Sequence, residues 1–143
     1  MSAKNADMTA HQIPIRVYYE DTDAGGIVYY ANYLRFAERG RTEWLRALDL
    51  HNSTLRATCG ILIVVKALEI DYKKPAVLDD SLVLETSVLE IGVTSMKMAQ
   101  ILRRDGIEIC TMKVTLVCVA ADGGRPTRWP TTVTAVLQHS EGK

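Results

Sequence analysis

From Ile13 the chain alternates. Ile13, Ile15, Val17 and Tyr19 fall on one face, which predicts a half-buried strand. After a loop rich in carboxylates and glycines, Tyr33, Phe36, Ala37, Gly40, Trp44, Leu45 and Leu48 recur at helical spacing as one apolar stripe. Arg35, Glu38, Arg39, Arg41, Glu43 and Arg46 occupy the other face, where charges three and four apart can pair. Beyond Gly60 the pattern turns to strands. Ile61–Tyr72 is a β-rich run ended by Lys73-Lys74-Pro75, and Asp79-Asp80 precedes a strand over residues 82–90 that stops at Gly92. Residues 94–104 and Ile107–Ala120 flank Asp105-Gly106, the two-residue signature of a type I′ hairpin. Asp122-Gly123-Gly124 closes the last long strand, and residues 131–138 add a short element of either type.

The order is strand, helix, then four strands joined by short turns. The absence of alternating strands and helices argues against a parallel doubly wound sheet. The expected fold class is α+β, one long helix wrapped by a curled, five-stranded antiparallel sheet. Such a sheet leaves long edges that a protein must cover or pair, so a homodimer or homotetramer is expected.

Composition narrows the classes further. At 143 residues the chain is expected to form one domain over 13–143, preceded by a flexible tail, 1–12. Seventeen basic and seventeen acidic residues cancel, which removes any global electrostatic case for nucleic acid or an anionic membrane. The longest apolar run, 61–65, is far short of a membrane span, and the polar start carries no signal-peptide core. Cys59, Cys110 and Cys118 are odd in number and lack metal-site spacing. They read as core hydrophobes of a cytoplasmic protein, with neither a metal site nor a cofactor expected.

The chemistry concentrates in Glu20-Asp21-Thr22-Asp23-Ala24-Gly25-Gly26-Ile27-Val28-Tyr29-Tyr30-Ala31-Asn32-Tyr33. A loop that feeds a helix N-terminus unites carboxylates with free backbone N–H groups and the positive end of a helix dipole. It can steady an oxyanion while a carboxylate attacks a carbonyl or activates water. A plainer role stands beside this one. Asp21 or Asp23 can be a capping or turn aspartate, Gly25-Gly26 an ordinary turn, and Tyr33 a core aromatic.

Residues 16–33, followed by Phe36-x-Glu38-x-Gly40-Arg41-Thr42-Glu43, closely resemble the Tol-Pal-associated acyl-CoA thioesterases, in the 4-hydroxybenzoyl-CoA thioesterase group of hotdog-fold proteins. The resemblance continues through Val65, Tyr72-Lys73-Lys74-Pro75-Ala76 with Asp79-Asp80, Gly92-x-Thr94-Ser95-Met96 and Val117-Cys118-Val119, nearly the whole chain after residue 12. It implies hydrolysis of acyl-CoA to a free acid and CoA, with acyl carrier protein as a further possible substrate carrier. It also implies Asp23 as the catalytic carboxylate, either nucleophile or general base. Helix N-terminal amides near Tyr30 are implied to polarise the carbonyl. Gly26, Val28, Tyr29, Thr94 and Ser95 are implied as substrate-binding positions, and the site is expected at a subunit interface.

Many Tol-Pal-associated members carry histidine where this chain has Tyr30, whereas the 4-hydroxybenzoyl-CoA enzymes carry tyrosine. A phenol ordinarily ionises near ~10 and is no base at neutral pH. His11, His51 and His139 lie outside the signature. Lys66, Lys73, Lys74, Lys97, Arg103 and Arg104 are candidates for CoA phosphates, or simply solvated strand charges. Two rival readings fit parts of the pattern. A phosphatase using Asp79-Asp80 for magnesium requires a parallel sheet, which the strand order opposes. A non-catalytic module binding acyl-CoA or acyl carrier protein would share the fold, because fold does not fix function.

Overall fold

The computed structural model describes residues 10–142, with side chains through Leu137. Strand β1 (His11–Arg16) leads through a carboxylate loop into α1 (Asn32–Ala47). A short helical segment, Asn52–Thr54 continuing into a π turn Leu55–Cys59, returns the chain to the sheet. Strands β2 (Ile61–Tyr72), β3 (Ser81–Ile91), β4 (Ser95–Arg104) and β5 (Ile107–Ala120) follow, and α2 (Thr131–Gly142) ends the fold. The sheet order is β1-β3-β4-β5-β2, antiparallel throughout, with β1 and β2 at its edges. This is the α+β hotdog arrangement.

Register slips between Val65 and Ala67, between Val88 and Glu90, and between Leu102 and Arg103 bend the strands. Bulges of this kind increase local twist and curvature, and the curved sheet receives α1. Tyr33, Phe36, Ala37, Gly40, Trp44 and Leu45 of the predicted stripe are buried against Leu84, Met96, Met98, Leu102 and Val114. Burying one such large side chain contributes about 1.5–3 kcal/mol. Gly40 sets the closest approach, since a Cβ built there would lie 2.5 Å from Leu84 Cδ2. Beside it, fully buried Gln100 donates to the Ala37 carbonyl (2.9 Å) and to Thr86 Oγ1 (3.0 Å). Its carbonyl oxygen accepts from Arg41 at 3.0 Å. Arg41 therefore leaves the charged face expected of it and turns to the sheet, where burial lowers its pKa.

Asp105 (φ 53°) and Gly106 (φ 80°) both take the left-handed conformation that a type I′ hairpin requires. The structure adjusts three expectations. Strand β1 starts at His11, so residues 11 and 12 of the expected tail are in the sheet, and 1–9 lie outside the described residues. It also ends before Tyr19, which is 80% exposed at the start of a 3-10 turn (Tyr19–Asp21). The 131–138 element is helical, within Thr131–Gly142. Among the described residues no helix is long and apolar enough to cross a membrane.

Candidate active site

The loop between β1 and α1 is a small hairpin closed by its own backbone. Asp23 N–H donates to the Ile27 carbonyl (2.9 Å), and Gly26 N–H donates to the Asp23 carbonyl (3.0 Å). Gly26 sits at φ +79°, a left-handed position where a Cβ is costly. Asp23 Oδ1 accepts from Gly25 N–H at 2.9 Å and from Ile27 N–H at 3.4 Å. Its Oδ2 has no partner among the described residues, and the side chain is exposed. Asp23 is thus a turn aspartate through one oxygen and an available carboxylate through the other.

Asp21 has different work. Its carboxylate accepts from Tyr18 N–H (2.8 Å) and from Asn32 Nδ2 (2.7 Å), while its carbonyl accepts from Tyr29 N–H (3.1 Å). One residue therefore joins the end of β1, the closing arm of the loop and the first turn of α1. Neither carboxylate caps the helix. The N-cap is Ala31, which offers no side-chain acceptor. Tyr30 and Ala31 N–H groups have no acceptor among the described residues. Unpaired donors at the positive end of a 16-residue helix are suited to a carbonyl oxygen that gains charge.

A second segment braces the first. Val28 N–H donates to the Ala76 carbonyl (2.9 Å), Leu78 N–H donates to the Gly26 carbonyl (3.0 Å), and Ile27 bridges Val77. Arg104 holds that segment by donating to the Pro75 carbonyl (3.0 Å) and pairing with Asp80 (2.6 Å). Tyr33 Oη accepts from Ala76 N–H at 3.2 Å, and burial raises the Tyr33 pKa. Tyr72 donates to the Tyr30 carbonyl at 3.2 Å.

Of the sequence-predicted positions, Asp23, Gly26, Tyr29 and Tyr30 share this loop. Val28 turns its side chain into the core, at 4% exposure, and offers the site only backbone. Thr94 and Ser95 are not brought to Asp23 within one chain. They stand level with Val117, at the end of β4 opposite Arg104, and Arg104 is the end beside the loop. The six candidate cations divide. Arg103 pairs with Glu85 and Glu108, Lys73 with Glu108, and Arg104 with Asp80. Lys66, Lys74 and Lys97 have no acceptor among the described residues. No group of three metal-capable side chains occurs among the described residues. Sequence reasoning missed Asn32 and Tyr72 as supports of the loop and read Arg104 as a phosphate candidate or a solvated strand charge.

One helix cradled by a curled antiparallel sheet, with a carboxylate–glycine hairpin at the helix start, is the arrangement of hotdog-fold thioesterases. Comparison with known proteins agrees. Residues 17–137 match the family described as the thioesterase-like superfamily. The chain is 44% identical over 126 residues to the acyl-CoA thioesterase YbgC of Haemophilus influenzae, covering 88% of this chain and 93% of that one. It is 38% identical to the acyl-CoA thioester hydrolase YbgC of Escherichia coli O6:H1, covering 89% and 95%. The crystal structure of a probable thioesterase from Bartonella henselae superposes with a TM-score of 0.81 at 34% identity, covering 85% of this chain and 99% of that one. The chain belongs to the thioesterase-like superfamily, and its enzymatic class is that of a thioester hydrolase.

Proposed function

We propose that the protein hydrolyses acyl-CoA thioesters to a free acid and CoA, with Asp23 as the reacting carboxylate. The observation that carries this reading is the division of Asp23, one oxygen held by two loop amides and the other unpartnered. The thioester carbonyl oxygen is taken up by the free N–H groups of Tyr30 and Ala31. Negative charge developing on that oxygen meets preorganised donors, each worth about 3–4 kcal/mol of barrier in acyl-transfer sites of this kind. Thiolate is a good leaving group, so the collapse of the tetrahedral intermediate needs no strong acid. Asp23 Oδ2 either attacks the carbonyl carbon, giving a mixed anhydride that water then cleaves, or takes a proton from the attacking water.

The acyl group has room in a cleft of about 340 Å³ between α1 and β2, lined by Leu34, Ala37, Val65, Leu68 and Val114, with Glu38 and Arg41 at its rim. Leu34, in the first turn of α1 and four positions beyond Tyr30, is the lining residue of this cleft nearest in sequence to the free donors.

A homodimer, singly or as a pair of dimers, completes the proposal. Among the described residues strand β2 is an unpaired edge, and it exposes Val64 (39%) and Val65 (49%). Antiparallel pairing of two β2 edges joins the sheets and turns the partner's Ile61 end, level with its own Ser95, toward this chain's Tyr72 end. That supports Thr94 and Ser95 as positions acting from a second copy. A solution species of one 15.9 kDa chain overturns this part. The free thiols of Cys59, Cys110 and Cys118 accord with a reducing cytoplasm, where acyl-CoA is made and used.

The test is a hydrolysis panel of short, long and aromatic acyl-CoA thioesters, followed by thiol release without added metal. Saturable release from at least one class is expected. Tight binding of these thioesters with no release of CoA would contradict the proposal and favour a binding module.

A further inference from the structure

The geometry points to Tyr72 as a positioning residue for the site, acting through the Tyr30–Ala31 peptide. This inference rests on the reading of Ala31 N–H as a donor to the thioester oxygen. The Tyr72 hydroxyl donates to the Tyr30 carbonyl at 3.2 Å, across 42 positions of sequence. That carbonyl and the free Ala31 N–H are the two ends of one planar peptide unit. A donor at the carbonyl end does two things. It fixes the rotation of the plane, and so the direction of the N–H. It also polarises the amide, which makes the N–H a stronger donor, as in any chain of hydrogen bonds. Among the described residues the only other donor to that carbonyl is Tyr33 N–H, at a long 3.4 Å.

The ring of Tyr72 is placed independently of its hydroxyl. Tyr72 is the last residue of β2, in register with Cys110 of β5. Its ring packs edge-on against Tyr33 (centroids 5.3 Å apart) and Tyr30 (6.4 Å). Burial raises its pKa, so the hydroxyl remains a donor throughout the neutral and mildly alkaline range. A phenylalanine would keep the packing and the register and lose only the donated bond. The ordinary alternative, an aromatic that merely packs the end of the sheet, gives the hydroxyl nothing to do.

The test compares Tyr72→Phe with wild type in turnover of the best substrate from the acyl-CoA panel and in thermal midpoint. It adds the infrared carbonyl stretch of benzoyl-CoA, labelled at its carbonyl carbon, bound to Asp23→Asn with and without Tyr72→Phe. We expect kcat to fall about five- to tenfold, as loss of one net hydrogen bond implies. KM and the thermal midpoint should stay near wild type. The bound carbonyl stretch should move back toward its value in free solution. An unchanged kcat, a loss confined to KM, or an unmoved stretch each overturns the inference. Wild-type turnover by Asp23→Asn alone would instead sink the Asp23 assignment, and the kcat comparison in the wild-type background would still decide on Tyr72.

Discussion

Asp21 accepts a 2.7 Å hydrogen bond from Nδ2 of Asn32, which locks the end of β1 to the first turn of α1. Two residues later, Asp23 leaves an oxygen free. The two carboxylates of one short motif are therefore not interchangeable: the first holds the loop and the second is available for chemistry.

Removing the Asp21 side chain leaves Asn32, only 9% exposed, without its acceptor. An unmet buried amide costs about 1–3 kcal/mol, and Asp21→Ala should lose that much in urea unfolding. Asp21→Asn should be milder in rate than Asp23→Asn. If Asp21→Asn matched the rate loss of Asp23→Asn with its stability intact, the division of roles would be wrong.

In the proposed mechanism Tyr30 contributes through its main chain. Tyr30→Phe leaves the amide and the carbonyl that receives Tyr72 untouched, so kcat should stay within about tenfold of wild type, consistent with loss of no more than one side-chain hydrogen bond. Tyr30→His should bring no gain and no new inflection near ~6.5, the usual histidine range. A Phe variant as inactive as Asp23→Asn would place the phenol in the reaction.

A methyl group at Gly40 should bring no gain in stability. Its missing Cβ would meet Leu84 Cδ2 at 2.5 Å and both Gln100 Nε2 and Thr86 Oγ1 at 3.0 Å. Alanine is the better helix former by about 1 kcal/mol, but crowding a packed core costs about 1–3 kcal/mol. Gly40→Ala should therefore be neutral to destabilising in denaturant titration. A clear gain in stability would show that α1 can lift from the sheet at no cost.

Fold stability should decline at alkaline pH. Burial first, and the Asp71 charge second, push the Cys110 thiol up to about 12, against about 8.5 for an unfolded cysteine. A raised folded value means the folded chain keeps a proton that the unfolded chain releases. The contribution is complete below about 8.5 and is lost as pH rises toward the folded value. Cys118, raised to about 11 by burial, acts in the same direction. Urea unfolding at pH 7.5 and 10.5 checks this. Cys110→Ala should lower stability at both values through lost packing, yet show a shallower decline between them. An unchanged decline would assign the pH sensitivity to other groups.

The long elements were legible because their periodicity is strong and their ends are punctuated. Ile61–Tyr72 lies between Gly60 and Lys73-Lys74-Pro75, and Ile107–Ala120 starts at Asp105-Gly106; both strands match the structure end to end. The first strand was overextended because alternation continues to Tyr19, while Asp21 captures Tyr18 N–H and turns the chain earlier. The carboxylate–glycine loop ahead of a helix start was readable from local composition, whereas Asp23 was singled out within it by resemblance. The roles of Arg41, Arg104 and Tyr72 were not readable. Their partners Gln100, Asp80 and Tyr30 lie 59, 24 and 42 positions away, and no local pattern records such pairings. Thr94 and Ser95 were placed by resemblance, and their distance from the loop within one chain became visible only in the sheet order.

The most direct test of the central claim is the turnover of acyl-CoA by Asp23→Asn, measured by thiol release beside a circular dichroism spectrum and a thermal midpoint. Asparagine keeps the size of the side chain and the oxygen that accepts from Gly25 and Ile27, and removes the nucleophile or base. Folding should be preserved while kcat falls by at least ~10²-fold, the usual scale for a positioned acid–base group. Near wild-type turnover in a folded Asp23→Asn protein would contradict the assignment of Asp23 as the reacting carboxylate.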